Sequence, residues 1–381
     1  MRVLQRSEYG IASGLAGALH DQGMALSVLA GVRPGAVVVN ELADPTALLI
    51  GAPEGGFAWT YLAGDASDAR LLHDLRAWVF DRHGLGADVG FSFLACDRPE
   101  WEKTLAGLIE PRAVIPDRRL HYERVSPPNE RKPPLPPGYE IRDLDRDLLE
   151  SGVTIHPQVS QWMTADFGSP EGFLAHGLGA VALHDGEMIG WFLADSFVDG
   201  ACDIGGEVEE THRRNGLAHA LACRCVDLAF DRGARRVGWH CHAINLPSVR
   251  TAEKAGFSLR RAYTVYPIHF DAQKHETLVG VVAGEYLEDA DAALTRGEFG
   301  TADELLSRML DFASDPTPDA LHSAARAAAG TGDVERAFAR LEQAIAAGWT
   351  NGEVTRSLPE FAPLSSDPRW TVVSREAQAS S

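Results

Sequence analysis

The run Asp203–Ala218, DIGGEVEETHRRNGLA, admits few folds. Apolar strand positions at Ile204 and Val208 lead into a turn closed by Gly216, and an amphipathic run follows, marked by Leu217, Leu221, Val226, Leu228 and Phe230. A strand that stops in a glycine-containing turn and opens directly into a helix is an α/β unit. It is also an anion site. The first backbone N–H groups of the helix have no intrahelical partner and lie at the positive end of its dipole. Gly216 and Ala218 are small enough for a ligand to approach the main chain. Arg213 and Arg214 sit at that same positive end, where a cation is unfavourable unless an anion joins it.

A second segment follows in order. The β-rich run Arg236–His242 leads to Asn245-Leu-Pro-Ser248, and a short helix ends in Ala252-Glu-Lys-Ala-Gly256-Phe257. On these residues the stretch from about Pro137 to Phe270 resembles the GCN5-related N-acetyltransferases. Arg213-x-x-Gly216-x-Ala218 is similar to their pyrophosphate loop, and the Asn245 to Phe257 stretch to their second cofactor motif.

The resemblance implies acetyl-CoA as cosubstrate, no metal, and a strand that splays from its neighbour. It implies that the backbone at Glu207 and Val208 pairs with the pantetheine arm and that Arg213, Arg214, Asn215, Gly216 and Ala218 hold the pyrophosphate. Asn245 would lie near the pantetheine or its thiol end, and Trp162 and Asp166 fall where the family places its acceptor-binding helices. Many members carry a tyrosine acid just before Glu-Lys-x-Gly-Phe; here that position is Ala252. Thiolate protonation then falls to water or to Tyr263, Tyr266 or Cys241.

For the base, strand alternation places Asp203, Glu207 and Glu209 on one face and His240 and His242 together on the adjacent strand. Glu207 is the first choice and His240 the second, because burial raises a carboxylate toward the working range and a histidine starts there.

The fold class expected is α/β (α+β): two tandem mixed-sheet domains and a small all-α domain. Residues 1–125 read as a degenerate first copy, beginning with a helix over Glu8–Ala30 and strands at 36–40, 47–50 and 57–62. A helix over 68–83, a strand over 88–94, a helix near 99–108 and a strand ending at Tyr122 follow. The helix end Ala77–Gly84 matches Asp227–Gly233, each closing in Phe-Asp-Arg and a glycine. Where the second copy has its Arg-rich loop, the first has Leu62–Asp68, whose Asp65 and Asp68 would repel a pyrophosphate.

Six prolines in Ser126–Gly138 hold a linker extended. The catalytic domain expected spans 139–270, with a β-hairpin turning at Asp185-Gly186. Residues 271–381 are Ala-rich and repeat at 35-residue spacing, Gly297–Leu306 against Gly332–Leu341. They resemble a short tetratricopeptide unit. About two repeats are too few for a free stack, so these helices need the catalytic domain, a second subunit or a protein partner against them.

The formal net charge of −19 argues against nucleic acid, since such affinity comes from Lys and Arg neutralising phosphates. Residues 271–381 carry most of the surplus, 9 basic against 19 acidic groups. No apolar run reaches the roughly 20 residues that span a bilayer, and the N-terminus lacks a signal-peptide core, so a cytoplasmic, membrane-free protein is expected. Five scattered cysteines suggest reduced thiols rather than disulfides or a metal site. The function expected is acetyl transfer to a small-molecule amine, a metabolite or an amine-bearing antibiotic. The alternatives are acetylation of a protein lysine or N-terminus recruited by the helical domain, and a silent acyl-CoA-binding scaffold.

Overall fold

A computed structural model describes residues 1–54, 56–67, 73–74, 76, 89–98, 100–110, 112–127, 133–371 and 373. Most of the expected helix over 68–83, and with it the Ala77–Gly84 match, lies outside these residues. The chain divides into two compact units, residues 1–109 with 117–270, and residues 110–116 with 271–381.

The first unit is built on one twelve-stranded mixed sheet. Its strands are β1 (Arg2–Val3), β2 (Ala36–Val39), β3 (Ala47–Glu54), β4 (Phe57–Gly64), β5 (Phe91–Cys96), β6 (Asp117–Arg124), β7 (Tyr139–Asp143), β8 (Gly179–His184), β9 (Glu187–Val198), β10 (Ala201–Val208), β11 (Arg236–His242) and β12 (Ser258–His269). The spatial order is β1-β2-β3-β4-β5-β12-β6-β11-β10-β9-β8-β7. Strands β6 and β12 are thus exchanged: β6 pairs with β11, and β12 lies between β5 and β6. All neighbours are antiparallel except two pairs, β4 with β5 and β10 with β11.

Side-chain chemistry fixes this exchange. Tyr122 of β6 enters the core around β8–β11, while Tyr263 and Val265 of β12 enter the core around β2–β5. Glu123 of β6 binds Arg236 of β11 at 3.4 Å and Arg260 of β12 at 2.8 Å, one carboxylate between two flanking strands.

The hairpin β8–β9 turns at Asp185 and Gly186, with φ of 51° and 82°. Both central residues are in the left-handed region, as the tight hairpin turn requires. The helix expected over Glu8–Ala30 is instead broken. A 3₁₀ turn over Arg6–Ala12 leads through short turns to α1 (Gly23–Leu29). Gly10, Gly14 and Gly17 weaken a continuous helix, and the Gly23 N–H is drawn to the Asp203 carboxylate at 3.0 Å.

The remaining helices of this unit that matter here are α2 (Glu100–Ile109), α3 (Pro157–Phe167), α4 (Leu217–Asp231) and α5 (Leu246–Lys254). Leu217, Leu221, Cys225, Val226 and Ala229 form one buried stripe of α4 against β8–β10. Leu221→Ala there removes buried methyl groups and costs about 2–5 kcal/mol.

The second unit contains α6 (Ala272–Thr295), α7 (Phe299–Phe312), α8 (Pro318–Thr331) and α9 (Val334–Ala346). Segment 110–116 belongs to it: Ile115 lies in its core and the Ala113 carbonyl contacts His275 Nε2 at 2.9 Å. Gly297 and Gly332, 35 residues apart, take φ of 74° and 85° and make the turns before α7 and α9. No helix among the described residues is long and apolar enough to cross a membrane.

Candidate active site

Strands β10 and β11 pair only from Ala201–Asp203 with Arg236–Gly238. Beyond that point β10 continues to Val208 against β9 alone, and β11 runs on against β6. The two parallel strands part, and a cleft of about 750 Å³ opens where they diverge, beside the start of α4. By contrast, β4 and β5 stay paired along six residues, Phe57–Leu62 with Phe91–Cys96.

The cleft gathers the residues expected to hold the cofactor: Glu207, Val208, Arg213, Arg214, Gly216, Ala218 and Asn245 all line it. Asn215 does not. Its amide reaches the Tyr139 hydroxyl and the His212 carbonyl, each at 3.4 Å, and so braces the loop from behind. Arg214 and Gly216 have φ of 64° and 80°, and alternating left-handed residues turn successive N–H groups to one side. Gly216 is the N-cap of α4 and offers no side-chain cap to its first N–H groups. A Cβ on Gly216 would meet no described atom within 4 Å. It would instead project into open space.

Arg213 donates through Nε to the Val208 carbonyl at 2.9 Å. Asn245 caps α5, its Oδ1 accepting from the Ser248 N–H at 3.1 Å. Nine further residues line the cleft that sequence reasoning did not assign to it, among them Phe192, His212, Trp239 and Ser248. The Trp239 indole N–H donates to Ser248 Oγ at 3.1 Å.

Asp203, Gly205 and Glu207 lie on the sheet face away from α4. Glu207 is 45% exposed, 3.5 Å from Arg213 Nη2, and accepts from Gln158 Nε2 at 3.4 Å. Asp203 is only 5% exposed. A Cβ on Gly23 would stand 2.2 Å from Asp203 Oδ2, and one on Gly238 would stand 2.1 Å from Oδ1. Two glycines therefore make the room this carboxylate occupies. Burial pushes its pKa above the usual carboxylate range, although His121 and Arg236 pull the other way.

His240 contacts the Tyr263 hydroxyl through Nδ1 at 2.8 Å, and its Nε2 lies 3.8 Å from Asp203 Oδ2. Its ring stacks on His121, its cross-strand partner, at 4.4 Å. Burial first, then the neighbouring His121 and Arg119, holds its pKa well below the ordinary histidine value. His242 is turned to Asp117 and Arg119 instead, at 2.8 and 3.0 Å.

Of the two residues expected to meet the acceptor, Trp162 lies beside Gly205, 3.3 Å from where a Cβ would stand. Its indole nitrogen is buried with no hydrogen-bond partner among the described residues. Asp166 is 1% exposed and 2.5 Å from Arg33 Nη1. Burial pushes it up to about 8 against the pull of that guanidinium. Asp195, which no sequence pattern marked, is the extra residue of a bulge in β9 opposite Asp203 and Ile204. Among the described residues no group of three His, Cys, Asp or Glu side chains could hold a metal ion, and no disulfide joins any of the cysteines.

The GNAT acetyltransferase family model matches residues 15–266, well over half of the chain. The chain belongs to the GNAT acetyltransferase family. It is an acyltransferase of that family, whose members use acetyl-CoA. It is 22% identical over 240 residues to the uncharacterized N-acetyltransferase YdfB of Bacillus subtilis, covering 63% of this chain and 88% of that one. A GCN5-related N-acetyltransferase-like protein from Streptococcus suis is similar in fold, with TM-score 0.52 and 21% identity over 68% of this chain and 98% of its own. One from Sphaerobacter thermophilus gives 0.48 and 16%, over 71% and 95%. The GNAT match spans both sides of the Pro-rich segment, as the single sheet does.

Proposed function

We propose that the protein is an acetyl-CoA-dependent N-acetyltransferase acting on a small cationic amine, with the cofactor in the β10–β11 cleft. The observation that carries this reading is the parting of β10 from β11 at Asp203 and Gly238, with the uncapped helix start on one side and a buried carboxylate on the other. A cleft of about 750 Å³ is of a size to take much of such a ligand. The loop N–H groups of residues 214–218, with Arg213 and Arg214, would bind the pyrophosphate. The free backbone edge of β10 at Gly206–Val208 would pair with the pantetheine arm, and Asn245 would stand near its end.

In the transfer the amine nitrogen attacks the thioester carbonyl, a C–N bond forms as the C–S bond breaks, and coenzyme A leaves as a thiol protonated from water. The chain must take the proton that the amine gives up. Asp203 suits this better than Glu207, whose exposed carboxylate is engaged by Arg213. Burial raises the Asp203 carboxylate toward the range in which it can take a proton from an amine, while His240, held well below the ordinary histidine value, stays neutral beside it. Asp166, paired with Arg33 in the interior, positions α3 rather than touching the acceptor.

We also read the first unit as two copies of one fold. The orders β1-β2-β3-β4-β5 followed by β12, and β7-β8-β9-β10-β11 followed by β6, support this, as does a parallel pair in fourth and fifth place in each. Because β4 and β5 do not part along their described residues, we read the first copy as lacking a cofactor cleft there. The paired helices of residues 272–346, with their matched glycine turns, support the tetratricopeptide-like reading.

The test is thiol release from acetyl-CoA over a panel of alkylamines, polyamines, amino acids and peptides, with product mass. Rapid release with an acetylated small amine is expected. Release confined to peptides would favour a protein acceptor and contradict the small-molecule assignment.

A further inference from the structure

The strand exchange sets β6 beside β11 and so puts His121 directly across from His240. Their rings stack face to face, 4.4 Å apart and 3° from parallel. His121 is buried, and its Nδ1 lies 3.5 Å from Oδ2 of Asp21, which stands in the turn before α1. Its other nitrogen, Nε2, is buried without a hydrogen-bond partner among the described residues, as is Asp203 Oδ1. These two atoms flank one glycine: a Cβ on Gly238 would stand 3.4 Å from the first and 2.1 Å from the second. An imidazole nitrogen and a carboxylate oxygen, each short of a partner, thus meet across a narrow gap.

The other groups facing Asp203 are each driven toward one charge state. Burial first, then the nearby carboxylates, pushes Asp195 of β9 well above the usual range and so keeps its proton on. Burial holds His240 of β11 neutral and pushes Tyr61 of β4 up. Arg236 of β11 is a fixed cation, 3.4 Å from Glu123. The groups around His121 are settled in the same way. Burial opposes the charge on Asp21, yet its contacts with His121 and Arg261 of β12 hold it well below the carboxylate range. Tyr263 of β12 is pushed up to about 12 by burial, and Arg119, two residues along β6, stands 3.0 Å from His242 Nε2. A histidine, by contrast, is the side chain that changes charge near neutrality.

We infer that His121, clamped by Asp21, is a positioning residue for the base: with both ring nitrogens protonated it holds Asp203 ionised and ready for the amine's proton. This inference rests on the reading of Asp203 as base in the proposed function. The Asp21 carboxylate at Nδ1 fixes a proton there, which leaves Nε2 as the atom that gains or loses one opposite Asp203. A cation in that place favours the carboxylate and offsets the burial that pushes Asp203 up. Residues 1–125 then serve the chemistry through three groups. These are His121, Asp21, and the Gly23 N–H that donates to Asp203 Oδ2 at 3.0 Å.

The test is a pH titration of the full chain by NMR, with carbon-13 on the aspartate carboxyls and nitrogen-15 on the histidine rings, and needs no turnover. In the wild type the Asp203 carboxyl signal should move twice, once as it takes its own proton and again, by less, where the His121 ring changes charge. In His121→Asn the second movement should vanish and the first should rise by about one pH unit or more. A His121 that only packs would leave that midpoint in place. The wild-type curve does not depend on any variant folding. A single movement in the wild type, or a His121→Asn midpoint that has not risen, overturns the inference. The acid limb of kcat/KM should follow the Asp203 midpoint; a limb unrelated to it would overturn Asp203 as base and leave its coupling to His121 standing.

Discussion

At the scale of single residues, the site turns on which carboxylates water can reach. Glu207 and Asp203 share a face of β10, yet one is 45% exposed and the other 5%. Sequence alternation could give the shared face, but not the depth, because depth is set by Gly23, Gly238 and α1 closing over Asp203. Glu207→Gln should therefore change kcat by less than about threefold, whereas Asp203→Asn should lower it by about 100-fold or more with coenzyme A affinity retained. Steady-state kinetics and calorimetry on the two variants check this, and the reverse order would restore Glu207 as base. Asp166 offers a pH test. Its pKa rises from 3.8 to about 8 on folding, so between those values the native state holds a proton the unfolded chain has released. Stability from this group is present at low pH and is lost as pH rises toward 8. Asp166→Asn should flatten the fall in melting temperature between pH 5 and 8; an unchanged slope would contradict the assignment.

At the scale of elements, the strand–loop–helix at Asp203–Ala218 and the hairpin at Asp185–Gly186 were legible because their signals are local: alternation, turn glycines and a helical stripe. The broken N-terminal helix was only partly so: Gly10, Gly14 and Gly17 are visible, but the restart at Gly23, whose N–H is held by the distant Asp203 carboxylate, is not. Asp195 was invisible for the same reason, as a bulge exists only relative to a partner strand. The loop yields a sharp prediction. Gly216 has φ of 80° and opens on the cleft, so Gly216→Trp should strain the backbone by about 1–2 kcal/mol and fill the ligand's space. Calorimetry should show acetyl-CoA affinity lost in a variant that still melts cooperatively; unchanged affinity would overturn the cleft.

At the scale of the whole first unit, its two halves are joined by exchanged strands, which no sequence pattern could reveal because strand order is set by non-local pairing. The Pro-rich segment marks where one run of strands ends and the next begins, but it does not separate two independent cores. Residues 1–125 made alone would lack β12, and residues 139–270 would lack β6 between β11 and β12. Each half expressed singly should be insoluble or unfolded by circular dichroism, and the two co-expressed should associate and fold. Halves that each fold alone would contradict the exchange.

On the proposed function one cleft, at the β10–β11 splay, takes acetyl-CoA, while the unsplayed β4–β5 pair does not. Amide hydrogen exchange with and without acetyl-CoA measures this directly. Exchange is expected to slow at residues 206–219 and 245–248 and to stay unchanged at 57–64 and 91–96. Protection absent from 206–219, or appearing at the β4–β5 pair, would contradict it.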